Sequence, residues 1–190
     1  MDLLQRTKDI MLRPRETWLE IRDEATTIPD LFKSYAAVLA AIPAVGHLIG
    51  NLLVGYSFMG GHFRMGFGRA LGGAVVSYVL SLVGVYIVAM VTDWLAPTFS
   101  SERGMLNALK AVVYSMTPSW MAGILYVVPV LSPLSILAAI YGVYLFYTGL
   151  PVLMRTPPQK TVMYLVAVVV VSVVLSLIIG ALSFAVLGVG

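Results

Sequence analysis

Cysteine is absent from this chain, which excludes disulfides, thiolate metal sites and a cysteine nucleophile. Histidine is scarce: His47 and His62 fall on different segments, and neither is accompanied by a pair of carboxylates. No Gly-x-Ser-x-Gly, phosphate-binding P-loop or His-rich metal spacing occurs, so no catalytic constellation, cofactor site or metal site can be assembled from the sequence. The reading is a protein that is not an enzyme and carries no cofactor. Charge is also sparse. Only 11% of the 190 residues are charged and 59% are hydrophobic, whereas an average soluble domain carries about 25% charged residues. A soluble globular domain is excluded on that ground, and a polytopic membrane protein is expected.

The few charges are unevenly placed. Seven of the nine acids (Asp2, Asp9, Glu16, Glu20, Asp23, Glu24 and Asp30) lie in the first 33 residues, with six of the twelve basic residues (Arg6, Lys8, Arg13, Arg15, Arg22 and Lys33). Apolar positions near the start are scattered among these charges, so a cleavable signal peptide is not expected. The remaining basic residues flank apolar segments, a pattern that disfavours nucleic acid as a partner.

About 20 mainly apolar residues are needed to cross a hydrocarbon core of about 30 Å. Five segments qualify, running roughly over Tyr35–Val54, Ala70–Thr92, Met105–Val128, Pro133–Met154 and Thr161–Leu187. In lipid every backbone polar group must be paired internally, which leaves helices or a closed barrel. Long uncharged runs without alternation, such as Val162 to Ala185, select helices. The expected fold is an all-α membrane bundle of five transmembrane helices preceded by short amphipathic interfacial helices, with residues 1–32 as a cytoplasmic amphipathic segment and 33–190 as the membrane domain.

Five spans put the termini on opposite sides. With the amino terminus cytoplasmic, ten basic residues lie inside (the first six, with Arg103, Lys110, Arg155 and Lys160) and only Arg64 and Arg69 outside. That bias orients the chain with its amino terminus in the cytoplasm and Gly190 on the far side. In the uncharged connection Pro129–Pro133, Ser132 reads as an N-cap with Pro133 at the first helical position.

Leu3, Leu4, Thr7, Ile10 and Met11 share one helical face, with Asp2, Arg6, Lys8, Asp9 and Arg13 on or beside the other. Pro14 should end this helix and start a second, striped by Trp18, Ile21 and Ala25. Three uses fit such a surface: lying on the inner leaflet with Trp18 among the headgroups, docking under the bundle, or docking on a partner protein.

Leu12-Arg-Pro-Arg-Glu-Thr-Trp18, then Pro29-Asp-Leu-Phe32 at the start of the first span, and later Tyr141-Gly142 with Tyr144, Gly149 and Leu150, appear in that order. Together with the five spans they resemble the Yip1 family, and in particular its bacterial members, over nearly the whole chain. Asp30-Leu31-Phe32 is similar to the Asp-Leu-Tyr-Gly-Pro signature of eukaryotic members, without the Gly-Pro. The resemblance implies a cytosolic amino terminus and an integral inner-membrane protein. It implies small-GTPase association and vesicle traffic for the eukaryotic members, and it supplies no catalytic residues.

Polar groups inside the membrane are costly, so they mark candidate sites. His47 and Asn51 share a face of the first span just after Pro43, where they would either line a polar path or bond a neighbouring helix. Tyr114-Ser-Met-Thr-Pro-Ser-Trp120 places Ser115, Thr117 and Pro118 at an expected mid-membrane kink, where hydroxyls re-satisfy freed carbonyls. Tyr141, Tyr144 and Tyr147 form a slanting stripe that meets either a lipid or partner or other helices. Asp93, beside Trp94, is read as an interfacial anchor or a partner for Lys110 or Arg103. Arg64 and Arg69 flank Gly66 and Gly68, next to His62, in an outer loop that would either hold a lipid phosphate or, more simply, reach the headgroups as a solvated loop.

Gly46 and Gly50, Gly68 and Gly72, Gly73, Ser77 and Ser81, and Ser172, Ser176 and Gly180 put small residues on helix faces, either for internal contacts or for a homo-oligomer surface. Two functions of different class remain. One is a scaffold that organises membrane lipids or protein partners. The other is a small-solute or ion channel or transporter with a pathway near the first and third helices.

Overall fold

A computed structural model describes residues 2–58, 61–63 and 66–187. Two short helices open the chain, α1 (Leu3–Leu12) and α2 (Pro14–Asp23). Pro14 has no N–H to continue the first helix and a fixed φ suited to starting the next, so the break falls where expected. A long helical run, α3 (Ile28–Val54), follows. Thr27 caps it, its hydroxyl accepting the Asp30 N–H at 3.3 Å and donating to the Asp30 carboxylate. This run contains π-helical turns at Phe32–Ala36 and Gly50–Val54.

A small antiparallel hairpin, β1 (Tyr56–Phe58) with β2 (Gly61–Phe63), connects α3 to α4 (Phe67–Leu95), which tightens into a 3-10 turn at Ala96–Phe99. The third expected span is broken. It comprises α5 (Met105–Ser115), α6 (Thr117–Ala122) and a 3-10 turn, Gly123–Val127. Pro118 has no N–H for the carbonyl of Tyr114, and the helix breaks at Met116, between Ser115 and Thr117. A second 3-10 stretch, Pro129–Leu134, leads into α7 (Ser135–Leu153), and α8 (Pro158–Leu187) closes the described chain. Ser132 does not cap α7. That helix starts at Ser135, whose hydroxyl donates to the Ser132 carbonyl at 2.7 Å, so the Ser-Pro pair belongs to the preceding tight turn.

Among the described residues four helical runs are long and apolar enough to cross a membrane: Ile28–Val54, Phe67–Phe99, Pro129–Leu153 and Pro158–Ala181. The broken third segment runs through the middle of the bundle. α5 packs against α4 and α7, α6 against α3 and α7, and α8 lies outside against α4 and α7. All residues from Ala108 to Ser115 are buried, as an apolar helix surrounded by other helices must be.

Glycine permits the tightest crossing. A Cβ on Gly46 would collide with the carbonyl oxygen of Gly123, one on Gly50 with that of Tyr126, and one on Gly123 would stand 2.6 Å from Pro43. The Gly46/Gly50 row is therefore an internal contact between α3 and the 3-10 turn. Gly68, Gly72 and Gly180 have open space at the Cβ position. The fully buried residues, among them Ile10, Trp18, Ile21, Leu109, Leu145, Leu150 and Tyr164, gather toward the end of the bundle that carries α1 and α2. On α8 the outer side chains Val166, Val170, Val173, Leu177 and Ile178 remain exposed, as a lipid-facing helix requires.

Candidate functional site at the docked amino-terminal helices

The two opening helices lie against the bundle through a set of specific contacts. Trp18 is 0% exposed. Its Nε1–H donates to Thr148 Oγ1 at 3.1 Å, and its ring meets the edge of Tyr114 at 6.3 Å between centroids. The indole fits because position 149 is glycine: a Cβ there would stand 2.8 Å from Cζ2 of the ring. Trp18 thus does not reach headgroups, and its expected role as a lipid or partner contact gives way to a core anchor. The apolar stripe of α2 finds its complement on α7, and burial in protein satisfies the indole N–H that a headgroup would otherwise accept.

Charged groups fasten the same interface. Lys110, 2% exposed in the middle of an apolar stretch, donates from Nζ to the carbonyls of Ile21 at 2.7 Å and Glu24 at 2.8 Å. These carbonyls stand at the C-terminal end of α2, where the last turn has no intrahelical donors and a cation is favoured by the helix dipole. Arg6 is 5% exposed, and its guanidinium reaches Glu20 at 3.2 Å and Glu24 at 2.8 Å. The sequence assigned Arg6 to the polar face of α1. Pairing with two carboxylates of α2 is what lets it turn inward. At the rim, Arg22 lies 2.8 Å from Asp23, and the hydrogen bond from its guanidinium holds the Asp23 carboxyl below the usual range.

Tyr141 donates its hydroxyl to the Met11 carbonyl at 2.7 Å, one of the free carbonyls ending α1. Tyr35 and Thr117 share a hydrogen bond of 2.9 Å, and the Tyr35 ring packs on Tyr114 at 4.6 Å. Thr117 therefore joins the first span to the broken third one beneath the docked helices. Further pins close this end of the bundle. Ser101 Oγ donates to Thr156 Oγ1 at 2.9 Å, the Glu102 N–H to the Met154 carbonyl at 2.8 Å, and the Tyr164 hydroxyl to the Thr92 carbonyl.

The remaining candidates separate. Asp93 accepts the N–H of Gly104 at 2.7 Å, tying down the connection ahead of α5. Lys110 is taken by α2, so the expected Asp93–Lys110 pairing is not formed. Trp94 beside it is exposed. The tyrosine stripe splits: Tyr141 is bonded internally and stacks on Tyr144 at 5.7 Å, while Tyr144 and Tyr147 are exposed. Arg69 is exposed in the first turn of α4, and Arg64 lies outside the described residues.

His47 stacks on Tyr126 at 4.1 Å and is otherwise exposed, with Asn51 half-buried one turn further on. Tyr35, the partner of Thr117, precedes His47 by about 18 Å of helix at 1.5 Å per residue. The polar groups of the first and third segments thus stand at different depths. Ser115 and Pro118 are buried, and the Ser115 hydroxyl has no hydrogen-bond partner among the described residues. Among the described residues, one apolar groove lies beside Ser115 and another, slightly smaller, between α3 and α4, lined by Val45, Leu48 and Val75. Neither is lined by His47 or Asn51.

Sequence reasoning missed Arg6, Lys110 and Thr148 as fastening residues. Lys110 carried a signal, a single cation inside Ala108-Leu-Lys-Ala-Val-Val113. Arg6 and Thr148 carried none.

A layout of five apolar segments, with two short helices docked over the break in the third, can be set beside known proteins. The chain is 30% identical over 131 residues to the inner membrane protein YohC of Escherichia coli, in two strains, covering 68% of this chain and 65% of that protein. The chain thus spans a little under two thirds of the length of these curated relatives. No solved structure matches it. The Yip1 domain model matches residues 8–180, a range that takes in most of α1, all of α2 and the bundle into α8. With so much of its length matched, and with its apolar helical runs, the chain belongs to the Yip1 family of membrane proteins.

Proposed function

We propose that this chain is a multi-pass inner-membrane protein that acts as a non-enzymatic scaffold, organising lipids and partner proteins from a cytoplasmic face built by α1 and α2. The observation that carries the reading is the docking of these helices. Their buried side is fixed to the bundle by Trp18, Lys110 and Arg6, while Leu4, Leu12 and Leu19 stay exposed among charges of both signs, Lys8, Arg13 and Arg15 with Glu16, Glu20 and Asp23. A rigid outward surface of leucines set among charges of both signs suits a membrane boundary or an amphipathic partner helix. The inner-membrane assignment follows the description of the YohC relative, and the orientation follows the basic residues. The buried hydroxyls of Tyr35, Thr117 and Tyr164 join helices to one another rather than converging on a path, which favours a scaffold over a transporter.

The test is solute and ion flux through purified protein in sealed liposomes, with His47→Leu/Asn51→Leu as the control. Liposomes as tight as protein-free ones are expected. Flux that the double variant loses would overturn the scaffold reading and make the polar face of α3 a pathway. A reporter fused after Gly190 is expected to be active only on the side away from the cytoplasm, and cytoplasmic activity would overturn the orientation.

A further inference from the structure

The bundle presents apolar flanks of unequal height. On α4 the exposed side chains Leu71, Val75, Val79, Val83 and Met90 form one stripe between Arg69, exposed in the first turn, and the exposed Trp94. No charged residue falls between Arg69 and Asp93. Arg69 and Trp94 are 25 residues apart, about 38 Å of helix. On α3 the exposed Lys33 and Val54 stand 21 residues apart, about 31 Å, which matches a hydrocarbon core of about 30 Å.

The α7 flank is shorter because the docked helices stand along it. Tyr141 meets Met11 and Thr148 meets Trp18, and each pair is seven residues further along its own segment, so α2 runs beside α7 rather than across it. α1 runs back along α2, where Arg6 reaches Glu20 and Glu24. The elbow at Leu12 and Arg13 is therefore the part of these helices nearest the far side of the membrane. Around and below it Lys8, Arg13, Arg15, Glu16 and Glu20 are exposed. Charged side chains facing outward are too costly in hydrocarbon, so on this flank the hydrocarbon ends at about the level of Tyr141. Val130, exposed in the far turn, is 11 residues away, about 19 Å with the 3-10 stretch counted at its longer rise. Snorkelling of Arg13 recovers only part of the shortfall. Tilting the molecule shortens both flanks and cannot make them equal.

We propose that the α7 flank beside the docked helices thins the bilayer locally and takes phospholipid with short acyl chains, while the α4 flank takes long-chain phospholipid. A bilayer adapts to a short apolar stretch by thinning, at fractions of a kcal/mol per Å, and a rigid bundle with two flank heights imposes a step in thickness from one side to the other. The inference deepens the scaffold reading, resting on its docked helices at a membrane boundary, and names the lipid they select. Chain-length preference at each flank is read without flux, so a leaky channel would overturn the scaffold reading and leave this one standing.

The natural lack of cysteine lets single cysteines carry a bimane fluorophore. Leu137→Cys places it on α7 one turn beyond Tyr141, and Val79→Cys places it in the α4 stripe, both at exposed positions. The full chain is reconstituted in mixtures of phosphatidylcholines with fourteen-carbon and twenty-two-carbon chains, each brominated in turn, and quenching reports which lipid adjoins each label. Short-chain lipid is expected to be enriched about threefold or more at position 137, and long-chain lipid at position 79. Trp18→Ala, which frees the helices and uncovers the uncharged residues 142–153, should abolish the enrichment at 137 and leave position 79 unchanged. Ile140→Cys and Val83→Cys, also exposed, form a second pair if either first variant fails to fold. Equal chain-length preference at the two labels overturns the proposal. So does long-chain enrichment at position 137, or short-chain enrichment there that survives release of the helices.

Discussion

Replacing Trp18 by alanine should release α1 and α2 from the bundle without unfolding the spans. The indole is fully buried against Gly149 and Tyr114, and large-to-alanine changes at such sites cost about 3–5 kcal/mol. The lost hydrogen bond adds no orphan on the partner side, because the Thr148 hydroxyl also donates to the Leu145 carbonyl at 2.9 Å and keeps that bond. The cost therefore falls on packing. Its effect is local because Trp18 sits on α2, an element joined to the spans through side-chain contacts and a short connection. At about 1.4 kcal/mol per factor of ten, opening of the docked helices should become about a hundredfold more frequent or more. Amide hydrogen exchange followed by mass spectrometry in nanodiscs reads this directly, since exchange of protected amides tracks local opening. Faster exchange is expected across residues 3–23, with peptides from α4 and α8 unchanged. Exchange in α1 and α2 that stays within about threefold of the unaltered protein would refute the account of Trp18 as the anchor.

Gly149→Ala should loosen the same helices by about 1–3 kcal/mol through overpacking, since its Cβ meets the indole at 2.8 Å. Trp18→Phe, which shortens the ring, should restore part of the protection in the double variant. Lys110→Met leaves the carbonyls of Ile21 and Glu24 without their donor, at a cost of about 1–3 kcal/mol for each buried orphan, and should raise exchange at the end of α2 first. Gly46→Ala forces apart α3 and the 3-10 turn at Gly123 and should lower the thermal midpoint of the whole bundle, whereas Gly72→Ala meets open space and should leave the midpoint unchanged or raise it, alanine being favoured over glycine inside a helix by about 0.5–1 kcal/mol. Equal midpoints for the two variants would show that the α3 crossing is not tight.

Local pattern along the chain specifies the elements. Length and apolarity marked the spanning segments, because hydrocarbon leaves a chain little choice but to pair its backbone locally. Pro14 and Pro118 marked the breaks, because a missing N–H acts within one turn of helix. The family was legible for a related reason: its shared residues recur in order along the chain. The tertiary structure alone decided what covers each face. A stripe such as Thr7, Ile10 and Met11, or Trp18 and Ile21, looks the same whether lipid, partner or bundle lies against it, since all three reward burial of the same side chains. Only the notch at Gly149, the Thr148 hydroxyl beside it and the reach of Lys110 to the end of α2 resolve that choice in favour of the bundle. The polar residues behave alike. Periodicity put His47 with Asn51 and Ser115 with Thr117 on common segments, but the depth at which two helices cross is set by packing between them, here by Gly46 and Gly50 against the turn at Gly123. That packing holds the two polar groups apart.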